Sequence, residues 1–87
     1  MIKTYQPKVR PTLEEAQAMV GGYVVMALKT PTMQVLVDED GLSKELEFNH
    51  QASELCNDFI VGNAIVLEGD AMWTIRLIEI DGEDDDE

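Results

Sequence analysis

Apolar positions in this chain switch between a helical and a strand period, and the switches mark its elements. Leu13, Ala16 and Val20 recur at i, i+3 and i+7, one face of a helix. Thr12 with Glu15 forms a capping box ahead of that face, and Gly21-Gly22 supplies a stop, so the spacing predicts a helix over 12–20. Tyr23 to Leu28 is rich in β-branched and aromatic residues and reads as a strand. Thr30-Pro31-Thr32 turns the chain, and Met33 to Val37 returns as the second strand of a hairpin. Asp38-Glu39-Asp40-Gly41 is a turn in which Gly41 is suited to positive φ. Leu46 and Phe48 alternate with Glu45 and Glu47, as in a short half-buried strand.

Asn49 is a good N-cap, and Ala52, Leu55, Cys56 and Phe59 follow at i, i+3, i+4 and i+7. That stripe predicts a second helix over 50–58. Gly62-Asn63 leads into a buried strand, Ala64 to Leu67, and Glu68-Gly69-Asp70 turns into a last strand over 71–80. There the apolar phase shifts from Trp73, Ile75 and Leu77 to Ile78 and Ile80, the mark of a bulge or of burial on both faces. Residues 1–11, cut by Pro7 and Pro11, yield at best an edge strand.

These elements predict an α+β fold: a small antiparallel sheet of about four to five strands with two short helices. The expected core is Leu13, Val20, Val24, Leu36, Leu55, Phe59, Ile65 and Ile75. The length of 87 residues fits one domain, taken as 1–80, followed by a disordered acidic tail over 81–87. A domain this small has a thin core, and strands apolar on both faces favour burying one against a second copy, so a homodimer is expected.

Charge sharpens this picture. The net charge is −12, and it is unevenly placed. Residues 1–37 carry Lys3, Lys8, Arg10 and Lys29 against Glu14 and Glu15, a net of +2, whereas residues 38–87 carry a net of −14. Without the tail the remainder still carries −6, so the folded part is itself acidic. Such a field repels phosphates and membrane surfaces and attracts basic ones, which disfavours direct nucleic-acid or membrane binding. No apolar run approaches the ~18 residues of a membrane span, and Met1 to Arg10 lacks the apolar stretch of a signal peptide. With Cys56 as the only cysteine there is no internal disulfide, and a cytoplasmic location is expected. Cys56 lies on the apolar stripe of the second helix and reads as a buried, unreactive thiol.

The candidate chemistry is sparse. Asp38, Asp40, Gly41 and Glu47 match positions 3, 5, 6 and 12 of a calcium loop, but Leu36 stands at position 1 and cannot coordinate. A polar hairpin turn is the better reading, and no metal or other cofactor is expected. His50, with Glu54 four residues on, is conceivable as a general base, yet no nucleophile or cysteine accompanies it. Gly21-Gly22 follows a helix rather than preceding one and cannot cradle a phosphate. The chain is therefore expected not to be an enzyme.

Two stretches carry a resemblance. Thr12-Leu13-Glu14-Glu15-Ala16-Gln17 through Val20-Gly21-Gly22-Tyr23 resembles the helix-to-strand signature of a family of unknown function common in phages and mobile elements. Asn49-His50-Gln51-Ala52-Ser53 through Val61-Gly62-Asn63-Ala64-Ile65-Val66-Leu67 is similar to that family's N-x-x-A helix and its strand entry. The family usually has an acid two residues after the tyrosine; here Val25 occupies that position, so any role of the acid is absent or moved. The resemblance implies a phage or mobile-element accessory protein acting in host cytoplasm.

Combined with the acidity, this gives the functional expectation of an inhibitor or modulator that binds a host protein with a basic surface, by an acidic face that imitates nucleic acid. Asp38, Glu39, Asp40, Glu45, Glu47, Glu54 and Asp58, from adjacent segments, are the expected contacts. The alternative is a small-molecule module such as a nucleotide sponge, for which Arg10, Lys29 and Arg76 are among the few available cations.

Overall fold

The computed structural model describes residues 2–73. Most of the predicted last strand, the core position Ile75, Arg76 and the acidic tail over 81–87 lie outside the described residues. In chain order the elements are β1 (Thr4–Tyr5), α1 (Leu13–Val20), β2 (Val24–Lys29), β3 (Met33–Asp38), α2 (His50–Cys56), β4 (Ala64–Glu68) and a 3₁₀ turn (Gly69–Ala71). The α+β class is as expected, but the sheet is mixed. Its order is β1-β4-β3-β2; β2–β3 and β3–β4 are antiparallel, and β1–β4 is parallel. The parallel pair follows from the connection between β1 and β2. Among the described strands, a helix carries the chain from β1 at one edge to β2 at the other, and the two run the same way. β3 and β4 then fill the gap, and β4 necessarily runs alongside β1.

The two central strands are buried on both faces. Ala16 and Val20 of α1 pack with Leu36, Ile65, Leu67 and Ala71 on one face, and Met26, Met72 and Trp73 flank them. On the other face Val35, Val37, Ala64 and Val66 meet Ala52 of α2 and Ile60. Alternating residues of β3 and β4 thus feed two separate cores, as the two-residue strand period requires. β2 reaches both because its register shifts between Met26 and Leu28, which moves its apolar residues from the α1 face to the α2 face.

The capping box forms as expected. Thr12 Oγ1 accepts from Glu15 N–H at 3.0 Å, and Glu15 Oε1 accepts from Thr12 N–H at 2.9 Å. Gly21 closes α1 at φ 86°, where its N–H reaches the Gln17 carbonyl at 2.8 Å. Gly22 is glycine for a different reason: a Cβ there would stand 2.6 Å from Lys44 Nζ and 3.0 Å from an Asp38 carboxylate oxygen.

Several expected core positions are not buried. α2 ends at Cys56, where Asn57 turns left-handed at φ 53°, so Phe59 lies beyond the helix and is 62% exposed. The buried arc of α2 is Ala52 and Ser53, with Cys56 partly buried beside them, rather than Leu55 and Phe59. Ser53 belongs inside because its hydroxyl donates to the Ile60 carbonyl at 3.1 Å and accepts from the Ile60 N–H at 2.9 Å. This exchange straps residues 57–60 onto the helix and buries Ile60. Leu13, in the first turn of α1, is also exposed. Val20, Leu36 and Ile65 are buried as expected, with Val24 packed beside them.

A candidate docking face

The seven acids expected to act together are divided by the structure. Asp38 ends β3 with its side chain 1% exposed, and its Oδ2 stands 2.8 Å from Lys44 Nζ. Oδ1 accepts from the Asp40 N–H at 2.8 Å. Burial alone would push this carboxyl up. The Lys44 ammonium and the Asp40 N–H outweigh that effect, and its pKa lies below the ordinary carboxylate value. Lys44 also donates to the Gly21 carbonyl at 3.1 Å, so one ammonium ties α1, β3 and the loop after β3 together. Asp38 is thus a structural anchor, its charge already matched by Lys44, and unlike the other six expected contacts it is buried.

The other six acids are exposed. Glu45 and Glu47 border one depression, with Ile2, Val20, Leu46 and Asn63. Glu39 borders another, of about 170 Å³, whose walls include Val25, Leu42, Phe59, Ile60 and Val61. Asp58 directly precedes Phe59 and accepts from its N–H at 2.7 Å. Glu54 lies on the exposed side of α2 next to Leu55, and Asp40 sits in the turn after β3.

The second depression has a feature that charge counting missed. Leu42 is 69% exposed, Phe59 62% and Val25 45%. Phe48 extends the apolar surface, its ring centroid 5.2 Å from that of Phe59. His50, exposed at the start of α2, also stands by Phe48, with ring centroids 5.3 Å apart. Two strand-like segments present these rings, since Phe48 bridges antiparallel to Val61. The signal in the sequence was Phe59 itself, which a helical extrapolation past Asn57 had assigned to the core.

The loop is tightly built. Gly41 does not use positive φ; a Cβ there would lie 3.0 Å from Val61 Cγ2, a tight contact that Val61 would have to yield to. Asn49, buried at the start of α2, accepts from Ala52 N–H at 2.9 Å and donates to the Gly62 carbonyl at 2.9 Å. It also lies 3.0 Å from Thr4 Oγ1, which joins β1 to the same hub. Cys56 packs against the α2-side core, and burial, with Asp58 nearby, pushes its thiol pKa up. Among the described residues no group of three or more His, Cys, Asp or Glu side chains is placed to hold a metal ion, and Leu36, the failed first position of the calcium loop, sits in the core. Among the same residues no helix is long and apolar enough to cross a membrane.

Residues 2–79 match the family described as a domain of unknown function, DUF3846. No curated protein and no solved structure matches the chain.

Proposed function

Starting from the chain's membership of the DUF3846 family, whose function is unknown, we propose that it is a non-enzymatic accessory protein of a phage or mobile element that binds and modulates a host protein. The observation that carries this reading is the exposed apolar patch of Val25, Leu42, Phe48 and Phe59 beside the acids Glu39 and Asp58. Large apolar side chains collected on a surface mark contact sites, and aromatic residues supply most of the energy in such contacts. The acids select the partner. A basic surface, of the kind that otherwise meets nucleic acid, is attracted to them from solution, and the apolar centre then holds it. Acidity alone steers weakly at physiological salt, where screening falls to about 8 Å, so the apolar centre is what makes the complex persist.

The partner is to be recovered from host lysate, identified, and its affinity measured with purified proteins over a salt series. Phe59→Ser should weaken binding by ~2 kcal/mol or more, the loss of a central anchor. Combined Glu39→Lys and Asp58→Lys should slow association and flatten the salt dependence. Removal of residues 81–87 should matter less than either, because Glu39 and Asp58 flank the apolar centre and are held at a fixed spacing by the fold. Full affinity in Phe59→Ser and in the charge-reversed protein would end this reading.

A further inference from the structure

A second site lies at the opposite end of the sheet. The turn of the β2–β3 hairpin (Thr30, Pro31), the start of β3 at Gln34, and Met72 and Trp73 beyond the 3₁₀ turn line an open cavity of about 550 Å³. That volume falls within the range of small-molecule sites. Arg10 and Lys29 both line it, and Asp70 stands on its wall. For a chain of net charge −12, two cations on one cavity is a concentration against the overall balance.

Gln34, Thr30 and the Trp73 indole are already committed, which leaves Arg10, Lys29 and Asp70 as the recognition elements among the described residues. Gln34, buried, donates from Nε2 to the Trp73 carbonyl at 2.6 Å and accepts from the Trp73 N–H at 2.7 Å. Thr30 Oγ1 accepts from the Met33 N–H at 2.9 Å. Trp73 Nε1 donates to the Pro11 carbonyl at 3.0 Å, so the indole is held in place. Arg10 Nε donates to the Met72 carbonyl at 2.8 Å, which fixes the guanidinium while leaving its terminal nitrogens for a ligand. Among the described residues neither Arg10 nor Lys29 forms an ion pair.

The geometry points to a binding site for a phosphate monoester with a planar apolar body, the chemistry of a nucleoside monophosphate. Arg10 and Lys29 come from separate segments and call for a ligand carrying more than one charge. A phosphate monoester has close to two at neutral pH, whereas a carboxylate has one. Pro31, Met72 and the fixed Trp73 ring supply an apolar wall for the planar body. Asp70, on the same wall, supplies a carboxylate acceptor for a ligand hydroxyl. The acidity of the rest of the fold does not forbid the site. Along β3 the wall residue Gln34 and the docking-face acid Glu39 are five residues apart, ~17 Å at a strand's rise, about two screening lengths.

Trp73 is the only tryptophan of the chain and reports on this cavity directly. Its fluorescence in the full-length protein, with calorimetry on the same solutions, is to be followed during titration with adenosine 5′-monophosphate, phenyl phosphate, adenosine and inorganic phosphate. Saturable binding of the two esters is expected, with adenosine and inorganic phosphate each weaker by about tenfold or more, the scale of one lost charge-assisted contact or of the apolar contact. Lys29→Gln should weaken the esters by about tenfold and Lys29→Arg should restore them. Lys29 is exposed at a strand end, so matching melting curves would establish that both variants fold. Phe59→Ser should bind the esters normally, which separates this site from the docking face. No saturable binding of either ester up to ~1 mM, or equal affinity in Lys29→Gln, would overturn the assignment.

Discussion

Replacing Lys44 by methionine tests the anchor that holds the acidic loop. The substitution keeps most of the side chain's apolar length and removes the ammonium 2.8 Å from Asp38 Oδ2. The carboxylate, 1% exposed, is left with the Asp40 N–H as its remaining hydrogen bond among the described residues. Breaking a buried pair by removing one partner costs ~3–5 kcal/mol. The Lys44 side chain is itself 41% exposed and gives up less hydration in the pair, which places the expected loss at the lower end, ~3 kcal/mol. For a domain of this size that lowers Tm by roughly 12–24 °C at neutral pH.

The pH dependence supplies the sharper check. In the native protein Asp38 has a lowered pKa. Its stabilisation is therefore present above the unfolded value, about 3.9, and is lost as pH falls through the folded one. In Lys44→Met burial is opposed only by one N–H, so the folded pKa should rise above the unfolded value. Protonation then favours the folded variant, and its deficit relative to the native protein should shrink as pH drops from 7 toward about 4. Every other acid is common to both proteins and cancels in the difference. Thermal melts of the pair across this range provide the measurement. A deficit below ~1 kcal/mol at neutral pH, or one that stays constant with pH, would refute the reasoning.

Three further outcomes follow from the same contacts. Thr12→Ala removes one half of the capping box and should lower stability by about 0.5–2 kcal/mol, read from urea midpoints. Phe59→Ser should leave the melting curve within ~0.5 kcal/mol of the native one, whereas Ile60→Ala, one residue along, should cost ~2–5 kcal/mol in the same assay. The raised thiol pKa predicts that Cys56 reacts with iodoacetamide at neutral pH more slowly than a free cysteine, and that the rate rises to the free value in denaturant.

The local elements of this protein were legible in its sequence because their causes are local. A capping box, a glycine stop and an i, i+3, i+7 stripe fix α1 wherever the helix is placed, and the same holds for the β2–β3 hairpin and for Asn49 at the start of α2. The uneven charge was likewise readable without a fold. What needed tertiary structure was the placement of side chains whose burial depends on distant partners, since Val20, Leu36 and Ile65 were already legible as core. Phe59 continued a helical stripe on paper, and a left-handed Asn57 turned it out to solvent. Asp38 looked like one carboxylate of an acidic surface until the loop brought Lys44 back across six residues to bury it. Ser53 gave no apolar signal, yet two hydrogen bonds to Ile60 place it inside. Arg10 and Lys29, far apart in the chain, reach one cavity only because α1 carries the chain across the sheet and places β2 at its far edge. Periodicity records the preference of a segment for a shape, but the choice of what to bury depends on partners distant in sequence, and those are decided when the sheet closes.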